Sequence, residues 1–144
     1  MMKRTLTLML LMLLATATST MAQQGLHVAD IFNQFSHKKG CKMVEMHDAQ
    51  LRGYTLRTYQ SLTYQTQGEQ IDSLLDYDRQ KATKIREVVS DGHVSSGYYI
   101  MSPTDNGLNR YILYTQKQDK SGAVIYIEGE LLPDDILKMC YKKK

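Results

Sequence analysis

The chain of 144 residues has no tryptophan, two phenylalanines, two prolines and two cysteines. Without tryptophan, the case for a site that stacks sugar rings is weak. The two prolines, Pro103 and Pro133, stand alone, and no Pro/Gly-rich linker divides the chain. Two cysteines cannot make a disulfide framework of the kind that holds small secreted scaffolds together. Neither sign of charge dominates, with 18 basic against 15 acidic side chains, which gives no electrostatic case for nucleic acid. Several signatures are also missing. There is no glycine-rich phosphate loop or dinucleotide fingerprint and no G-x-S-x-G elbow. No histidine pair has the i, i+4 spacing of a zinc helix, and no calcium-loop spacing occurs.

What is present begins at the N-terminus. Lys3 and Arg4 precede an uncharged apolar stretch, Leu6 to Ala15. Small and polar residues follow, with Thr20 and Ala22 at the minus-three and minus-one positions of a cut between Ala22 and Gln23. This is the pattern of a cleaved secretory signal. The apolar stretch is shorter than the roughly 20 residues that span a bilayer. No cysteine follows it closely, so the reading is an exported protein, periplasmic or extracellular, that is not a lipoprotein and has no membrane span once residues 1–22 are removed. Residues 23–144 then form a single domain. Loss of Lys3 and Arg4 leaves 16 basic against 15 acidic groups, a net charge of +1.

Along the domain, Val28, Ile31, Phe32 and Phe35 make one apolar helical stripe. CKMVEM reads as a strand, DAQLRG as one helical turn closed by Gly53, and YTLRTYQSLTY as a long strand. In that strand Leu56, Thr58, Gln60, Leu62 and Tyr64 are expected on one face. Residues 69–91 read as two helices, the second striped by Ala82, Ile85, Val88 and Val89, with Asp78 near its N-cap and Gly92 as its stop, or alternatively as one long kinked helix. GYYIM, NRYILYTQ and AVIYIEG are strands joined by turns at Asn106-Gly107 and at QDKSG. PDDILKMCY closes the chain as a helix, with Pro133 in its first turn. The predicted class is α+β: a two-layer domain, order α-β-β-α-α-β-β-β-α, with a mainly antiparallel sheet of about five strands ending in a three-strand meander.

Candidate chemistry is sparse. Four carboxylates crowd VIYIEGELLPDDILKM. Asp134 and Asp135 suit a helix N-terminus, where unpaired N–H groups and the dipole favour negative charge. Leu131 and Leu132 are expected to enter the core. Glu128 and Glu130 have no structural reason in the sequence and remain as weak metal candidates. Cys41 lies among Lys38, Lys39 and Lys42, which would lower its thiol pKa. A bridge between Cys41 and Cys140 is the candidate disulfide. Most of the ten tyrosines fall in strands, where they suit sheet packing. A bare sheet face would present Tyr98 and Tyr111 to a partner.

VADIFNQF, KGCKMVEM, YTLRTYQSL, DGHVSSGYYIM, RYILYTQ, VIYIEGEL and DDILKM, after AQQGL at the export junction, together resemble a family of small exported domains of unknown function from Bacteroidota-type bacteria. The resemblance covers nearly everything after Ala22 and implies an exported α+β domain, with no active-site residues to carry over. The resulting expectation is a non-catalytic exported domain without a cofactor, binding an envelope protein or ligand. The alternative is a small metal-dependent or redox-responsive protein whose site is assembled only by folding.

Overall fold

The apolar spacing at Val28, Ile31, Phe32 and Phe35 does build a helix, α1 (Val28–Phe35), and it buries all four side chains. In a computed structural model, which describes residues 25–141 and their side chains as far as Met139, α1 is followed by β1 (Lys42–Leu51), β2 (Tyr54–Tyr64), α2 (Gly68–Lys81), β3 (Lys84–Ser90), β4 (His93–Met101), β5 (Asn109–Gln116), β6 (Gly122–Gly129) and α3 (Pro133–Tyr141). The expected leader and the cut at Ala22–Gln23 lie outside the described residues.

The strands form one open antiparallel sheet in the order β1-β2-β6-β5-β4-β3. β5 and β6 occupy its middle, as their apolar residues on both faces predict. One face packs against α1 and α2 through Leu62, Tyr64, Tyr99, Ile112, Val124 and Tyr126. The other packs against α3 through Leu56, Tyr98, Tyr111, Leu113 and Ile127, which meet Ile136 and Met139. The protein is therefore α+β with three layers rather than two, six strands rather than five, and a final meander of four strands rather than three.

Two expectations fail for one reason. Residues 84–90 form a strand, not a second helix, and Asp48 to Leu51 extend β1 instead of making a helical turn. Ile85, Val88 and Val89 imitate a helical stripe. Yet every residue of β3 is exposed at the sheet edge, so burial imposes no alternation on its sequence. The turns carry the deciding signal. Arg52 and Gly53 have φ of 51° and 87°, and Asp91 and Gly92 have 52° and 80°. Each pair is a two-residue hairpin loop with both central residues left-handed, a conformation that favours glycine at the second position. Gly53 and Gly92 turn strands; they do not stop helices.

β2 contains a second departure. Its register with β6 shifts between Leu56 and Thr58, which makes Arg57 the extra residue of a bulge. A one-residue slip exchanges faces. Leu56 accordingly packs with the α3-side cluster while Leu62 and Tyr64 pack with the α1-side cluster, although all three were expected together.

Asp78 explains how α1 begins. On α2, Gly68, Ile71, Leu75 and Asp78 are the buried positions, so the aspartate continues the apolar stripe and points at α1. Its carboxylate accepts the backbone N–H groups of His27 and Val28, each at 2.7 Å. A side chain of one helix thus caps another. His27 also stacks on Tyr77, with ring centroids 3.6 Å apart. Burial raises the Asp78 carboxyl pKa, and the two N–H groups oppose that rise.

Candidate functional site

The register places four polar residues side by side across the sheet. His47 pairs with Thr58, Thr58 with Glu128, and Glu128 with Arg110. Neighbouring strands lie about 4.8 Å apart, so the row spans β1, β2, β6 and β5 in even steps. It lies on the α1-side face, continuing the line of Tyr126 and Val124 beyond the helices. Thr58, Glu128 and Arg110 are buried, at 2%, 3% and 8% exposure. Ionised groups are seldom this buried without partners, and here the partners are local. Glu128 accepts a hydrogen bond from the Tyr126 hydroxyl at 2.8 Å. Arg110 Nε donates to the Ser102 carbonyl at 2.6 Å. Burial, and then the Glu128 carboxylate, push the Tyr126 phenol up, while Arg110 opposes this through its charge and a hydrogen bond. Arg110, Tyr126 and Glu128 therefore form one linked group at the floor.

A cavity of about 550 Å³ opens over this row. His47, Arg57, Thr58, Arg110 and Glu128 form its floor and one wall, and the β4–β5 loop forms the other. That loop is held in shape by Thr104. Its N–H donates to the Leu108 carbonyl, its hydroxyl accepts the Leu108 N–H, and its carbonyl accepts the Gly107 N–H, at 2.9, 3.0 and 2.9 Å. The rim side chains are engaged only at the surface. His47 meets Glu45 at 2.8 Å and Arg57 meets Asp48 at 3.5 Å, all four side chains being about half exposed or more.

At the opposite end of the same face the polar groups are knitted shut. Arg79 Nη2 meets Asp72 at 2.5 Å and Arg79 Nε meets the Tyr99 hydroxyl at 2.9 Å. Tyr99 donates to Glu87 at 2.7 Å. Tyr64 and Tyr114 both donate to Gln116 Oε1, at 3.2 and 2.6 Å. Burial raises the phenols of Tyr64 and Tyr99 well above the usual value and takes Tyr114 up to about 12. This network serves packing.

Of the candidate site residues read from the sequence, among the described ones Glu128 alone lines the cavity. Glu130 is exposed beyond the end of β6 and does not join it. Among the described residues no three His, Cys, Asp or Glu side chains converge as metal ligands. Tyr98 and Tyr111 are not on a bare face. They are 5% and 1% exposed, stacked with centroids 6.2 Å apart beneath α3. Tyr111 donates to the Leu131 carbonyl at 2.5 Å. The partner surface expected there is occupied by the protein's own helix. Cys41 is a half-buried free thiol against the α1-side cluster. Burial raises its pKa, and the Lys38 charge only partly offsets this. The Cys140 side chain is outside the described set. Leu131 is buried as expected, but Leu132 is 62% exposed. Asp135 acts as a helix-start residue, accepting the Leu132 N–H at 2.9 Å in the manner of a capping box. Arg110 is not singled out in the sequence, Thr58 is read only for its strand face, and His47 is among the histidines that match no zinc spacing. The one available sign was a charge inside an apolar strand, in NRYILY as in VIYIEG.

The fold and cavity define a small α+β protein with an open antiparallel sheet and a polar hollow at its end. No described helix is long and apolar enough to cross a membrane. The sequence matches a family of unknown function, DUF6108, over residues 15–140, and the chain belongs to that family. No curated protein matches it, and no solved structure does.

Proposed function

We propose that this is an exported, non-catalytic binding domain of the cell envelope, and that its ligand site is the cavity over the His47–Thr58–Glu128–Arg110 row. One observation carries the site: two buried side chains of opposite charge, paired in register, face an open hollow of about 550 Å³. Ligand sites are commonly concave, some 300–1,000 Å³ in size, with a few fixed polar groups that orient the bound molecule. Arg110 and Glu128 are such groups, because hydrogen bonds to Ser102 and Tyr126 hold them in place. The lining offers anchors rather than a nucleophile with its base. It contains neither serine nor cysteine, and its imidazole, His47, is turned to Glu45. Export is supported by Lys3, Arg4 and the apolar run to Ala15, with the cut before Gln23.

The test is to recover the protein from the envelope fraction of cells that make it and to weigh it under native conditions. The expected result is an N-terminus at Gln23 and a small-molecule adduct that Arg110→Met does not retain. An adduct kept by that variant, or no adduct together with no thermal shift from an envelope small-molecule fraction, would refute the site.

A further inference from the structure

Resting on the cavity being the ligand site, we infer that its ligand is a zwitterion: a free amino acid or short peptide bound by its charged ends. The lining is balanced, with Arg57 and Arg110 against Glu128 and Asp105. A ligand with large net charge of either sign would leave two of these groups opposed. Both signs also stand close together on the floor. Glu128 and Arg110 are cross-strand partners on adjacent strands. A negative and a positive side chain next to each other on the floor suit a ligand that carries an ammonium beside a carboxylate.

The rest of the lining narrows the class. It contains no tyrosine, phenylalanine or tryptophan, so a sugar ring or nucleobase would find no aromatic face to stack on. It does contain Thr58, Thr104 and Asn106, whose polar side chains suit a peptide group, and Leu108, which suits an apolar side chain. In the bound state the ligand ammonium donates to Glu128 and the carboxylate lies between Arg110 and Arg57. Such charge-assisted hydrogen bonds are roughly twice as strong as neutral ones. The Tyr126 hydroxyl, by donating to Glu128, fixes the direction from which the ammonium approaches.

The assay is an amide-resonance titration of the full mature protein with glycine, glycylglycine, N-acetylglycine, glycinamide, acetate and glucose. Glycine or glycylglycine should move the resonances of Thr58, Arg110 and Glu128. N-acetylglycine lacks the ammonium and glycinamide lacks the carboxylate, and each should bind at least about tenfold more weakly, the loss of one charge-assisted bond. Glu128→Gln should remove the preference for a free ammonium. Arg57→Gln, at an exposed residue whose loss spares the fold, should weaken every probe that carries a carboxylate. If N-acetylglycine or glycinamide matches glycylglycine, or if acetate or glucose takes the site instead, the zwitterion assignment falls and the cavity stands as a site for another ligand. If none of the probes and no envelope fraction moves these resonances, both readings fall.

Discussion

Replacing Asp78 with alanine should weaken the fold more than any other single polar substitution in the helices. The side chain is fully buried and accepts two backbone N–H groups at the start of α1. Losing a helix cap costs about 0.5–2 kcal/mol. Leaving a second buried donor unpaired adds about 1–3 kcal/mol, so the sum is roughly 3 kcal/mol. With an unfolding entropy near 2.1 cal/mol/K per residue over some 120 residues, this lowers Tm by roughly 12 °C. Asp78→Asn should fare little better. Each carboxylate oxygen takes one N–H, and the amide NH₂ would face a donor. Calorimetry with chemical denaturation checks both variants. The dependence on pH has a defined sign. The folded pKa is raised, so the folded state holds this proton after the unfolded state has released it. The contribution of Asp78 is therefore greatest below the ordinary aspartate value of about 3.9, declines as pH rises to the raised value, and is level above it. The Asn variant lacks this slope. A Tm within 3 °C of the parent for Asp78→Ala would refute the reasoning, for it would mean that α1 takes its start from packing alone.

Three further outcomes are expected. Gly122→Ala should destabilise by about 1–3 kcal/mol in a denaturant titration, because its Cβ would lie 2.0 Å from the Thr115 carbonyl oxygen on the paired backbone. Above pH 10 the protein should lose stability steadily, since Tyr64, Tyr99, Tyr114 and Tyr126 all keep their protons in the fold beyond the usual phenol range while the unfolded chain ionises near 10. Ultraviolet titration of the phenolates beside circular dichroism should show ionisation and unfolding together. Reduction should leave the intact mass unchanged, because Cys41 packs on the α1 side of the sheet while α3, the helix that contains Cys140, covers the other. A gain of two hydrogens would overturn that expectation.

The sequence reports some of these elements faithfully because their side chains answer to a single environment. α1 and α3 each bury one stripe, and β5 and β6 are covered on both faces, so periodicity and apolar runs predict them. β3 answers to no core at all. With nothing buried, Ile85, Val88 and Val89 carry no usable period, and only the Asp91-Gly92 turn identifies a strand. Asp78 shows another limit. It breaks the apolar stripe of α2 in the sequence, and the break means a long-range cap on a helix some fifty residues away. The cavity was legible by half. Glu128 stands out as a charge in an apolar strand, but its partner Arg110 and neighbour Thr58 become a group only through strand register, which no local pattern encodes.

The bulge at Arg57 joins the sheet to the cavity in one residue. Deleting it would make Leu56 and Thr58 neighbours in plain alternation, with Leu56 still opposite Gly129 on the α3 side and Thr58 still opposite Glu128 on the α1 side. The same deletion removes a cationic wall of the hollow. Relatives of this protein can accordingly be sorted by a one-residue gap at this position. Those with the gap should keep the α3-side core but change ligand preference, and those without it should keep both.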